Sequence, residues 1–100
     1  MDFTLAEADD ELRVELRGEL THVDRMKFQD VLEVLTSSRC RRLLMDMSRT
    51  SFIDSAGLGM LLMLQEEALR RDAQLVIARI QGQVKRMFEQ SKFDKLFSLT

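Results

Sequence analysis

The 100-residue chain contains no proline, tryptophan or tyrosine, and it has a single cysteine and a single histidine. Each shortage closes off a class of function. Cys40 has no second cysteine with which to form an internal disulfide, and Cys40 with His22 falls short of the ligand set of a Cys/His metal site. No metal or other cofactor is therefore expected. No apolar run approaches the ~18 residues that span a bilayer, and Met1-Asp2-Phe3-Thr4 lacks the basic and apolar regions of a secretory signal. The expectation is a cytoplasmic protein with no membrane insertion. Lys85, Arg86, Lys92 and Lys95 are interleaved with Glu89 and Asp94 rather than forming a basic stripe with a stacking platform. They read as a solvated helix face, and nucleic acid is not an expected partner.

What the chain does contain is the composition of an ordinary folded domain, 45% hydrophobic and 32% charged. That is enough for one core and too little for two, so residues 1–100 are expected to form a single domain. The formal charge of -2 is unevenly spread: residues 1 to 34 hold ten acids and four bases, the remainder seven acids and eleven bases. An acidic front and a mildly basic back can steer a charged protein partner.

Hydrophobic periodicity supplies the elements. Phe3-Thr4-Leu5 alternates weakly and Leu12-Arg13-Val14-Glu15-Leu16-Arg17 strictly, the period of half-buried strands, with Ala8-Asp9-Asp10 as the turn and Gly18 closing the second strand. Phe28, Val31, Leu32 and Leu35 then fall at i, i+3, i+4 and i+7, which predicts an amphipathic helix over 26–35, capped by Thr21 or Asp24. Leu43-Leu44-Met45-Asp46-Met47 reads as a short strand covered on both sides, in which Asp46 must sit at the strand end or find donors. Residues 55 to 71 read as a helix, Leu75-Val76-Ile77-Ala78 as a buried strand, and Val84, Met87 and Phe88 as the stripe of a third helix starting near Gly82. Phe93 to Thr100 adds a short turn or edge strand. The order implies an α/β domain, a mixed sheet of four to five strands with right-handed crossovers that place the connecting helices on one side.

The chemistry concentrates in "FIDSAGLG", residues 52 to 59. A serine nucleophile of the elbow type needs glycines on both sides and a histidine base, yet Ile53 stands two before Ser55 and His22 is the sole imidazole. Gly57 and Gly59 supply two glycines of a dinucleotide fingerprint, but Leu62 stands at the third place, the glycines lie inside the helix, and Asp54 puts negative charge where a pyrophosphate would bind. No enzymatic activity is expected. As a helix cap, Ser55 would contribute roughly 1 kcal/mol. A helical wheel puts Leu58, Leu61, Leu62, Ala68 and Leu69 on the buried arc. It sets Ser55, Gly59, Met63, Glu66 and Arg70 opposite, with Met60 beside them. A hydroxyl, a bare backbone and two thioethers suggest a docking surface, which phosphorylation of Ser55 would turn anionic without unfolding the helix.

The stretch Leu43-Leu44-Met45-Asp46-Met47-Ser48 followed by Phe52-Ile53-Asp54-Ser55-Ala56-Gly57-Leu58-Gly59, with Gly18-Glu19-Leu20 closing an early strand, resembles the STAS domain of bacterial anti-sigma factor antagonists over nearly the whole chain. The resemblance implies a mixed sheet flanked by helices and a non-enzymatic module that binds an anti-sigma factor, often a GHKL-type serine kinase. Phosphorylation of Ser55 would end that binding and a PP2C-type phosphatase would restore it. Asp54, Ser55, Gly59, Met60, Met63, Thr21 and Asp24 are the expected partner-binding residues. Thr21 occupies the place where many of these antagonists carry an aspartate; it either caps the first helix or leaves Asp24 to supply the charge. STAS domains also serve as constitutive adaptor subunits, in lipid-transport ATPase complexes or stress-sensing assemblies, which is the alternative reading.

Overall fold

The computed structural model describes all of residues 1–100. Two antiparallel strands, β1 (Asp2–Ala8) and β2 (Glu11–Leu20), are followed by α1 (Arg25–Ser37), β3 (Arg42–Ile53), α2 (Ser55–Arg70), β4 (Gln74–Ala78), α3 (Gly82–Gln90) and the two-residue β5 (Ser98–Leu99). Single 3-10 turns at His22–Asp24 and Phe93–Lys95 precede α1 and β5. The sheet has the order β1-β2-β3-β4-β5, antiparallel at β1/β2 and parallel elsewhere. No helix is long and apolar enough to cross a membrane.

The hairpin turns on Asp9 and Asp10, both at positive φ (52° and 66°). Two consecutive left-handed residues make the turn whose twist matches the strands it joins, and aspartate tolerates that geometry. Each later strand enters through a helical crossover running the same way across the sheet, so one face collects all three helices. Leu12, Val14, Leu16, Leu43, Met45, Met47, Leu75 and Ile77 on that face meet Phe28, Val31 and Leu35 of α1, Leu61 and Leu64 of α2, and Val84 and Phe88 of α3 in one continuous core. Leu44, Val76 and Ala78 on the reverse face form only a small separate cluster.

Two strand boundaries differ from the sequence reading. Gly18 does not close β2, which continues to Leu20, and β3 runs twelve residues rather than ending near Met47. The polar second half of β3 stays paired with β2 as far as Leu20–Ile53, slipping register twice on the way, between Glu15 and Arg17 and between Gly18 and Glu19. The first slip frees the Ser48 N–H, which donates to Asp46 Oδ1 at 3.0 Å. Asp46 therefore sits inside the strand with a donor of its own. Burial pushes its carboxyl up, but the Ser48 N–H and hydroxyl, with Arg79 and Arg13, pull it below the usual value. The second slip falls at Gly18, whose φ of +91° suits glycine. The extra length carries β3 to the point where α2 begins.

Candidate functional site at the start of helix α2

Strand β3 delivers its last residue, Ile53, between two clamps. On one side the Asp54 N–H donates to the Leu20 carbonyl at 3.3 Å. On the other, the Gln83 side chain accepts from the Ile53 N–H and donates to the Ile53 carbonyl, both at 2.9 Å. Helix α2 starts immediately afterwards, close enough to β2 that position 57 has no room for a side chain. A Cβ there would press into the Leu20 carbonyl oxygen and lie 2.7 Å from Ile53 Cγ1.

The cap of α2 is Asp54, not Ser55. Its backbone is extended (φ -103°, ψ -179°) and its Oδ1 accepts the Gly57 N–H at 2.7 Å. Its Oδ2 accepts the His22 N–H at 3.1 Å, with His22 Nδ1 3.5 Å away. One carboxylate thus caps a helix and ties the loop after β2 to it. Burial pushes the Asp54 carboxyl up, but the Gly57 and His22 N–H groups and the His22 imidazole together bring it below the usual 3.8. The carboxylate is ionised at neutral pH.

Because Asp54 does the capping, Ser55 is released from that task. It is the first residue of α2 and exposed, and its hydroxyl makes no hydrogen bond to the protein. His22 turns its ring to Asp54 rather than to Ser55, so the serine–histidine contact that nucleophilic catalysis requires is not formed.

The expected partner-binding residues separate into two groups. Asp54, Ser55, Gly59 and Met63 come together along one line of α2, with Met63 47% exposed. Met60 does not join them: it is 2% exposed and belongs to the core. Leu69, expected inside, is 67% exposed. Both corrections rotate the buried arc the same way, toward Met60 and Leu64 and away from Leu69. Helix α1 packs beside α2 and the single core lies beneath both, which favours that orientation. Asp24 is also withdrawn: it is buried, with Oδ2 accepting the Thr21 N–H at 2.9 Å and hydroxyl at 3.4 Å and Oδ1 taken by the Met1 amine at 3.0 Å. Its pKa is raised by burial but held below the usual value overall by those donors. Thr21 and Asp24 close the 3-10 turn before α1 and leave Asp54 as the carboxylate beside Ser55.

Two residues were missed by the sequence reading. Val23 follows the His22 that binds Asp54, and Met26 lies in the first turn of α1; they are 74% and 87% exposed. Both are large apolar residues off the i, i+3, i+4 stripe of α1, and that offset was the available signal. A groove leads away from this end between the helices, lined by Gln29, Leu32 and Thr36 of α1 and Met63, Glu66 and Arg70 of α2. The exposed surface at this end of α1 and α2 thus carries a free hydroxyl, helix backbone at Gly59 and the apolar side chains of Val23, Met26 and Met63. A Cβ at Gly59 would meet nothing within 4 Å. Gly59→Ala is accordingly expected to raise stability by about 0.5–1 kcal/mol, since glycine inside a helix costs that much relative to alanine. A urea denaturation midpoint measures it.

Comparison with known proteins agrees with this architecture. Residues 3–99 match the family model described as "Mlab, STAS domain". The STAS-domain containing protein PA14_20770 of Pseudomonas aeruginosa (strain UCBPP-PA14) is 30% identical over 90 residues, covering 90% of this chain and 88% of that protein. A putative anti-sigma factor antagonist from Thermotoga maritima superposes with a TM-score of 0.88 at 15% identity, over 97% of this chain and 84% of that one. The anti-sigma factor antagonist SpoIIAA in its unphosphorylated form gives 0.76 at 18% identity, over 99% and 87%. The phosphorylated form of the Bacillus protein gives 0.74 at 18%, over 99% and 91%. These structures share the five-stranded α/β fold, and the family match spans the sheet, all three helices and the Asp54–Gly59 turn; the chain belongs to the STAS domain family.

Proposed function

We propose that this protein is a phosphorylation-controlled binding switch: an antagonist that holds an anti-sigma factor or GHKL-type serine kinase while Ser55 is unmodified and releases it when Ser55 is phosphorylated. The observation that carries the reading is the division of labour at the start of α2. Asp54 caps the helix, which leaves the Ser55 hydroxyl exposed and without a protein partner. A phosphoryl group there would add roughly -1.5 to -2 charge at the helix N-terminus, where the dipole tolerates it. The same charge would stand beside Asp54 and the apolar rim of Val23, Met26 and Met63, which an apolar partner surface could no longer cover at low cost. The fold likeness to SpoIIAA, a protein solved in both phosphorylation states, adds support.

Incubation with the cognate kinase and ATP is expected to place phosphate on Ser55 rather than on the nearby Ser48, Thr50 or Ser51. Ser55→Asp should bind the partner at least tenfold more weakly than wild type, about 1.4 kcal/mol, while Ser55→Ala binds normally. Equal binding by both variants would sink the switch.

A second reading, a constitutive adaptor subunit of a larger assembly such as a lipid-transport ATPase complex, is favoured by one observation. Thr21 stands where an acid is common in the antagonists, and Asp24 is buried with both oxygens engaged. Under that reading Ser55→Ala and Ser55→Asp are both tolerated while Met63→Lys abolishes assembly, so the same binding measurement separates the two.

A further inference from the structure

The sheet has two edges of very different character. At one end β5 is only two residues long, which blunts that edge. At the other, β1 runs for seven residues and pairs with β2 in unbroken register, with no bulge to twist it away and no proline or lysine within it. A long regular edge strand without those protections is a template for another strand.

The hairpin fixes which backbone groups are free. Ala8 and Glu11 flank a two-residue turn and so form a hydrogen-bonded pair; alternation then makes Ala6–Arg13, Thr4–Glu15 and Asp2–Arg17 hydrogen-bonded pairs as well. Phe3, Leu5 and Glu7 are therefore the residues whose N–H and C=O groups point outward. Their side chains lie on the helix-bearing face, opposite Leu16, Val14 and Leu12. Phe3 packs against the core and Leu5 is left 39% exposed at its margin.

The geometry points to a second copy of this chain as the occupant, pairing β1 antiparallel with β1 about a two-fold axis at Leu5. In that register Leu5 faces Leu5 of the other copy and Phe3 faces Glu7, so the three outward N–H and three outward C=O groups of residues 3, 5 and 7 in each copy all meet complementary partners. Other registers that respect the same alternation align fewer of these residues within Asp2–Ala8. Like charges are not opposed: Asp2 falls opposite Ala8 and Glu7 opposite Phe3. The carboxylates are also engaged within their own copy, Asp2 with Lys27 Nζ at 3.1 Å and Glu7 with the Ser38 hydroxyl and the Cys40 thiol at 3.2 and 3.0 Å. The paired Leu5 side chains extend the core across the axis, giving a continuous ten-strand sheet. The start of α2 takes no part in the contact, so it is independent of the Ser55 switch. An interface of one short strand belongs to the weak class, below about 1,200 Å², and the dimer forms at high protein concentration.

Sedimentation of the wild-type chain from micromolar to millimolar concentration tests this. The weight-average mass is expected to rise from 11.6 kDa toward twice that value. Leu5→Pro removes an outward N–H that the sheet does not use, so the variant should keep the wild-type circular dichroism yet remain monomeric. A second test does not depend on how that variant folds. In a Cys40→Ser background, Leu5→Cys should cross-link under mild oxidation, because the two positions face each other. Asp2→Cys should not, its two copies being separated by roughly 20 Å along the strands. A wild-type mass that stays monomeric at millimolar concentration would overturn the proposal, as would Leu5→Cys cross-linking no faster than Asp2→Cys. A monomer that instead captures an extended peptide from a partner along β1 would overturn it too.

Discussion

Gly57→Ala is expected to cost roughly 2–3 kcal/mol of stability, the upper range for forcing a methyl group into a filled space. The added Cβ would meet the backbone carbonyl oxygen of Leu20 and the Cγ1 of Ile53. A flexible side-chain tip can swing aside, but the Leu20 carbonyl cannot, because it already accepts the Asp54 N–H. Relief requires α2 to lift from β2, which would stretch the Gly57–Asp54 and His22–Asp54 bonds together. The loss should therefore appear both in the urea midpoint and as weakened partner binding. The comparison with Gly59→Ala is decisive, because the two substitutions carry the same intrinsic helix gain and differ only in surroundings. Opposite signs are expected two residues apart, and a neutral Gly57→Ala would refute the close approach of α2 to β2.

Asp54→Ala comes next, with an expected loss of about 2 kcal/mol, the top of the range for a helix cap. The value lies high because Asp54 also receives the His22 N–H. Asp54→Asn should recover only part of that stability, since the amide oxygen can keep the Gly57 N–H while the amide NH2, itself a donor, cannot accept the His22 N–H. The pH dependence separates the two. The folded pKa of Asp54 lies below its usual 3.8, so its ionic contribution is fully present above about pH 4 and is lost as pH falls through the folded value. Wild type should therefore lose more stability on acidification than Asp54→Asn, and the difference between them should begin to change only as pH falls below about 4. Urea midpoints between pH 7 and pH 3 measure it. Asp24 and Asp46, whose pKa values are also lowered, titrate alike in both proteins and cancel in the comparison.

The elements that periodicity reached well are those whose apolar residues face a single direction. The i, i+3, i+4, i+7 series from Phe28 to Leu35 lies in α1, and the alternation from Leu12 to Arg17 lies in β2. Strand β3 was under-read because its second half, Ser48 to Phe52, is polar or exposed. It remains a strand through hydrogen bonding to β2 and through Thr50, whose hydroxyl donates to the Leu16 carbonyl at 3.0 Å. No local pattern announces pairing with a partner thirty residues away. Helix α2 was read one residue too long at its C-terminal end, and its face was misjudged at Met60 and Leu69, because a helix of mostly apolar residues has no sharp polar boundary to fix the wheel.

At the start of α2, residue identity and spacing were enough to place an acid, a serine and two glycines at a strand-to-helix junction, and to show that one histidine and one cysteine cannot make a disulfide or a Cys/His ligand set within the chain. Residue identity and spacing carry that much because they bound which reactions have their reagents. Which residue caps, which stays free and which glycine is needed were decided only by the tertiary structure. Leu20 at the end of β2, His22 in the 3-10 turn after it and Gln83 of α3 reach the turn from segments distant in sequence. Asp54 caps and Ser55 stays open because the chain after β2 supplies a second donor to the aspartate. Gly57 is obligatory and Gly59 is not, because β2 passes beneath one and nothing passes over the other.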